Sequence, residues 1–180
     1  MNRPMLGLKR DEVKLVQHDP LWKEEFEQIQ EQIMQVLPQL RTEQIQHIGS
    51  TAIMDIQAKP VIDIALGVED FAEQRCHAEE PLRTIGFYRL RVQRQQEIVF
   101  ARFTDSTYEV KTHFIHLIPF ESEHWKNMLF FRDYLNAHAE MRMEYERLKQ
   151  SFTMDQGDIE QYTEHKEQWI QHIFTKRVAD

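Results

Sequence analysis

The 180-residue chain is poor in the residues that staple, loosen or anchor small proteins. One cysteine, Cys76, excludes an internal disulfide framework and any cysteine-rich zinc module, and a reducing, cytoplasmic setting is expected. Five glycines leave no glycine-rich loop, which rules out a Walker-type phosphate loop and a dinucleotide fingerprint. No apolar run approaches the roughly 20 residues of a membrane span, and the N-terminus has no signal-peptide core. Basic residues are in deficit: 22 Lys and Arg against 30 Asp and Glu give a formal net charge of -8. That balance argues against non-specific nucleic-acid binding and against a basic membrane-surface protein. A local basic pocket for a nucleotide or a phosphorylated metabolite remains compatible with it, and such a small molecule is the expected partner. The sequence is silent on oligomeric state.

What is present reads as one α+β domain over residues 13–180 behind a loosely held leader, residues 1–12. Val13 to Val16 is a short strand candidate. Asp19-Pro20 opens a helix whose Trp22, Phe26, Ile29, Ile33 and Val36 share one face, and Pro38 closes it. Gln44 to Ile48 and Val61 to Val68 read as strands, the second apolar on both faces except for Asp63. A helix is expected over residues 70–85, ending at Gly86. Residues 87–92, 98–103 and 108–119 predict an antiparallel meander. The last third is helical, with a stripe of Trp125, Met128, Leu129 and Leu135 and a second of Met141, Tyr145, Leu148 and Phe152. A third helix starts at Gly157-Asp158, with Gln161 in a capping box and Ile159, Tyr162, Trp169 and Ile173 facing inward.

The chemistry gathers around His47-Ile48-Gly49-Ser50-Thr51 and the acidic strand that follows. Gly49 permits a sharp turn, and Ser50 and Thr51 offer donors to an anion. An ionised Asp63 in an apolar strand needs a partner or a metal. Its same-face neighbour is Ala65, so no carboxylate pair exists on that strand. Lys59 stands at the mouth of the strand, where it can pair with Asp63, reach a phosphate or simply be solvated. His113 and His116 point to opposite faces of a regular strand. Each has an ordinary structural reading, and His116 beside Asp63 would make an Asp–His pair. Arg132 can serve as a surface partner of Asp133 or as a bidentate phosphate ligand. Lys166, four residues after Tyr162, is a lysine on an inward stripe and so a ligand candidate.

These segments resemble the GrpB family in order and spacing. The resemblance is carried by His47-Ile48-Gly49-Ser50-Thr51-Ala52, Ala58-Lys59-Pro60-Val61-Ile62-Asp63-Ile64, Lys111 to His116, Phe131 to Leu135 and Tyr162 to Lys166, roughly from residue 13 to 175. It implies a nucleotidyltransferase-like mixed β-sheet with a leading helix and a helical C-terminal third. In some bacteria a GrpB-like domain is fused to dephospho-coenzyme A kinase, which points toward nucleotide-related metabolism. By that resemblance Gly49 and Ser50 form the phosphate-cradling turn, Asp63 is a metal ligand and Mg²⁺ is the implied cofactor. The second acid of the superfamily falls at Ala65, and a histidine frequent in GrpB sequences is replaced by Phe114. Glu97, Glu109 or Asp105 is left to supply the missing ligand. The expected function is binding of a nucleotide or other phosphate-bearing molecule, with Mg²⁺-dependent nucleotidyl or phosphoryl transfer as the reaction. Asp63 and His116 would be its catalytic residues, and Gly49, Ser50, Thr51, Lys59, His113, Arg132 and Lys166 would bind the ligand. The rival readings are a non-catalytic binding module that has lost the second acid, and a metal-dependent hydrolase using Asp63 with His113 or His116.

Overall fold

The computed structural model describes residues 5–9, 12, 14–92, 94–154 and 159–179, apart from the side chains of 152–154, 159–163, 178 and 179. In chain order the elements are β1 (Leu8–Lys9), α1 (Leu21–Val36), β2 (Ile45–Ile48), β3 (Ile62–Val68), α2 (Phe71–His77), α3 (Glu79–Thr84) and β4 (Phe87–Arg89). β5 (Ile98–Phe103), β6 (Val110–Pro119), α4 (Glu123–Ala137), α5 (Ala139–Met154) and α6 (Ile159–Ala179) follow. This is the expected α+β architecture, with a mixed sheet, a leading helix and a helical C-terminal third. Among the described residues, no helix is long and apolar enough to cross a membrane.

The sheet runs β2-β3-β6-β5-β4, with β1 paired to the opening residues of β6. Among the described residues β3 and β6 are the one parallel pair, in the register Asp63↔Phe114 and Ala65↔His116; β1–β6, β2–β3, β5–β6 and β4–β5 are antiparallel. The meander predicted from residue 87 onward is therefore present. Its last strand starts at Val110 because Tyr108 adopts φ 57, a left-handed conformation that a strand does not accept.

Side chains alternate across each strand, so the sheet has two different faces. Ile62, Ile64, Leu66, Ile115 and Leu117 point to one face and pack under Trp22, Phe26, Ile29 and Ile33 of α1. Asp19 helps to start that helix, its carboxylate accepting the Leu21 N–H at 3.0 Å. On the opposite face Ile48, Ala65 and Ile118 meet Trp125 of α4. Gly67 makes this approach possible, since a Cβ there would lie 2.8 Å from the Trp125 ring. A third cluster joins Ile53 and Ile56 of the loop after β2 to Leu135 and Tyr145, with Leu148 and Trp169 packed against it. β3 is thus covered on both sides, as its apolar pattern requires.

Three expectations change. The helix over residues 70–85 is two short helices, because Pro81 has no N–H and its ring crowds the carbonyl of His77, where α2 ends. Val16 contributes a single bridge to Ala58 instead of a strand. Within the segment read as a loose leader, Leu8 and Lys9 pair with β6, and the Gly7 N–H donates to the Pro60 carbonyl at 2.9 Å. The capping box at Asp158 and the side chains of Phe152, Ile159 and Tyr162 lie outside the described residues.

Candidate functional site

The face of the sheet beside α4 carries the chemistry. β2 hands its last residue, Ile48, to a direct pairing with Asp63, and Gly49 then turns the chain with φ 73. A Cβ on Gly49 would sit 2.6 Å from Asp63 Oδ2, so the turn lies against the carboxylate and only glycine fits. Ser50–Ala52 forms a single 3-10 turn. Ser50 Oγ stands 3.5 Å from the Tyr145 hydroxyl. Thr51 is buried and donates to the Val61 carbonyl at 3.3 Å, with His47 Nε2 at 2.9 Å, so its hydroxyl is committed to the scaffold. Burial, reinforced by the charge of Arg132, pushes the His47 pKa down to about 3. The ring is therefore neutral, stacked on Phe26 with centroids 5.0 Å apart.

Asp63 stays open, its side chain 32% exposed. Its Oδ1 lies 3.4 Å from His116 Nε2, while His116 Nδ1 lies 2.7 Å from Glu97 Oε1. Burial alone would lower the His116 pKa, but hydrogen bonds to Asp63 and Glu97 outweigh it and raise the value to about 9. The imidazole is therefore a cation at neutral pH and donates through both nitrogens. Glu97 is only 6% exposed. Its burial opposes ionisation, yet His116, His124 and Arg94 together hold its pKa far below the ordinary carboxylate range. Arg94 Nη1 reaches its two oxygens at 3.1 and 3.2 Å, and His124 Nε2 stands 3.6 Å from Oε2.

Three lysines group near Asp63, Lys59 and Lys166 interacting with its carboxylate and Lys149 with Lys166. Lys59 comes from the loop before β3, Lys149 from α5 and Lys166 from α6. Burial lowers the pKa of each, and the charge of Lys166 lowers those of Lys59 and Lys149 further. Asp63 pulls Lys59 and Lys166 back up. Lys149 is 6% exposed, with a pKa lowered to about 8. Its ammonium donates to the Gln57 carbonyl and lies over the Tyr145 ring at 4.7 Å. Tyr145 is itself stacked on Trp169, and burial raises its hydroxyl pKa.

Of the residues singled out in the sequence, Gly49, Ser50, Lys59, Asp63, His116 and Lys166 converge here. Thr51 stands beside them with its hydroxyl spent. His113 does not join them: it points to the α1 face, 3.1 Å from Glu25 Oε1 and 2.8 Å from Thr112 Oγ1. Arg132 is turned to β2, donating to Gln46 Oε1 and the His47 carbonyl, each at 2.9 Å, and to Asp133 at 2.7 Å. Of the three acids left open in the sequence, Glu97 reaches the site. Asp105 instead accepts from Thr107 within its own turn, and Glu109 lines a groove with Tyr108 and Lys9. Lys149 and Tyr145 are additions. Their spacing of four on one helix face is the signal that pointed to Lys166, and it applies equally to Lys149.

The donor set does not fit Mg²⁺. Among the described residues, no three His, Cys, Asp or Glu side chains are arranged to hold a metal ion. Mg²⁺ takes about six oxygens at near 2.1 Å, whereas both oxygens of Glu97 are already taken up by three cationic or ring N–H donors.

Comparison with known proteins agrees with the motif reading. Glutamate-rich protein GrpB of Alkalihalophilus pseudofirmus is 37% identical over 174 residues, covering 96% of this chain and 99% of that protein. The crystal structure of the conserved protein GrpB from Enterococcus faecalis matches with a TM-score of 0.74 at 23% identity, over 91% of this chain and 99% of that one. A structure of the Cid1 poly(U) polymerase with MgGTP bound matches more loosely, with a TM-score of 0.49 at 13% identity over 70% of this chain and 41% of that one. Residues 12–176 fit the family described as GrpB protein, so by both family pattern and full-length similarity the chain belongs to the GrpB family.

Proposed function

We propose that the chain binds a phosphate-bearing small molecule, a nucleotide, beside the Gly49–Ser50 turn, at Asp63 and the lysines of the preceding loop, α5 and α6. The observation that carries this reading is the grouping of Lys59 and Lys166 about Asp63, with Lys149 near Lys166 and over the ring of Tyr145, whose hydroxyl faces Ser50. Ammonium groups that are partly buried and repel one another raise the free energy of the empty protein, and an anion of two or more charges relieves it. Asp63 offsets part of that repulsion, and Ser50 and Tyr145 offer hydroxyls for phosphate oxygens. The nucleotidyltransferase-like scaffold that the family resemblance implies is compatible with such a ligand. Ala65 and the occupied Glu97 favour a binding role over two-metal group transfer.

A second reading, group transfer to an acceptor hydroxyl, draws on one observation: Asp63 is open and positioned by His116, as a general base must be.

The test is thermal stability and calorimetry with ATP, GTP and inorganic pyrophosphate. The expected result is a rise in melting temperature with at least one of them, lost in Lys149→Met and in Lys166→Met. No stabilisation by any of the three would remove the proposal. Turnover of ATP that disappears in Asp63→Asn would promote the second reading.

A further inference from the structure

Two carboxylates brought to one face of a sheet repel each other, and a cation set between them offsets that repulsion. Asp63 on β3 and Glu97, just before β5, are such a pair, and β6 runs between their strands. The residue on β6 that faces both is His116. Parallel register places it opposite Ala65, and antiparallel register places it opposite Val99, two residues beyond Glu97. One ring nitrogen meets Asp63 at 3.4 Å and the other meets Glu97 at 2.7 Å, with the side chain 16% exposed.

We infer that His116 is a built-in counter-ion that fills the place between Asp63 and Glu97, so that this centre excludes divalent cations and binds its anionic ligand without a metal. Three features support this beyond the two hydrogen bonds. Ala65 offers no oxygen where a second acid on β3 would stand. The second oxygen of Glu97 is held by Arg94 and His124, so releasing this carboxylate to a metal would break an ion network as well as the histidine contact. Lys59 and Lys166 interact electrostatically with Asp63, and they supply positive charge that a metal would otherwise bring to a phosphate.

The exclusion of metal stands apart from the nucleotide reading, and only the second arm of the experiment rests on it. In the first arm, Mn²⁺ is titrated into the full chain and free ion is followed by electron paramagnetic resonance. Wild type is expected to show no saturable site up to about 1 mM, and Ala65→Asp combined with His116→Ala is expected to gain one at least about tenfold tighter. A wild-type site at lower concentration that vanishes in Asp63→Asn would overturn the inference. So would a folded double variant, verified by circular dichroism, that gains nothing. The wild-type titration needs no variant and decides the matter even if the double variant does not fold. In the second arm, ATP affinity is measured in EDTA and in excess Mg²⁺. Equal affinity within about twofold is expected, and a loss of affinity in EDTA of about tenfold or more would overturn the metal-free centre. Absence of ATP binding in both buffers would remove the nucleotide reading and leave the Mn²⁺ result intact.

Discussion

At Gly49 a single methyl group would have no room. The backbone is left-handed and the carboxylate of Asp63 stands where the Cβ would go. Gly49→Ala is expected to destabilise the protein by about 1–3 kcal/mol in urea unfolding, and to displace Asp63 from His116. His116 has its own pH signature. Its pKa is near 6.5 when unfolded and about 9 when folded, so its stabilisation is complete below the first value and fades as pH rises through the second. Wild type should therefore lose on the order of 3 kcal/mol relative to His116→Asn between about pH 6 and pH 10. Ring resonances followed by NMR should show His116 titrating about six units above His47, whose pKa is about 3. The sequence already marks Asp63 as an isolated acid in an apolar strand. It does not choose Glu97 over Glu109 or Asp105, because that choice depends on strand register.

The apolar stripe of α1 was legible from spacing alone, and it lies where the pattern puts it. Trp22, 1% exposed, fills the space between α1 and the sheet, so Trp22→Ala should cost about 3–5 kcal/mol in chemical denaturation. Leu148 on α5 is only partly buried against the third cluster, and Leu148→Ala should cost less, about 1–2 kcal/mol. The break between α2 and α3 was also open to a reader of the sequence, since Pro81 sits well inside the expected helix. The shortening of β6 was not, because nothing local in Tyr108 announces a positive φ. Arg132 shows the limit of motif reasoning at this scale. A guanidinium on a helix beside the site was an attractive phosphate ligand, yet the docking of α4 on β2 gives it two acceptors there, beside its neighbour Asp133.

For the whole molecule, the grouping of Lys149 and Lys166 near Asp63 depends on helices that are remote in sequence from the Gly49–Ser50 turn. Gln57 ties α5 to the loop after β2: its N–H donates to Glu146 at 2.9 Å, and its carbonyl accepts from Lys149. Burial and Lys166 lower the Lys149 pKa to about 8, against the upward pull of Glu146. Anion affinity should therefore fall as pH rises above about 8, and Lys149→Arg, whose charge persists to higher pH, should flatten that dependence in calorimetric titrations. The free protein carries the opposite sign for this group. Its folded pKa is depressed, so deprotonation near pH 8 relieves a buried charge and stability gains as pH rises toward the unfolded value of 10.5. The residue sequence by itself determined the two-sided burial of β3, the inward face of α1, the glycine turn and the lone carboxylate beside it, because these follow from spacings of two to four residues along one element. Only the tertiary structure decided that His116 lies between Asp63 and Glu97, that Lys149 joins Lys59 and Lys166, and that His113 and Arg132 turn away. Those outcomes join residues tens of positions apart, and they are set by strand register and helix docking, which no short stretch of sequence encodes.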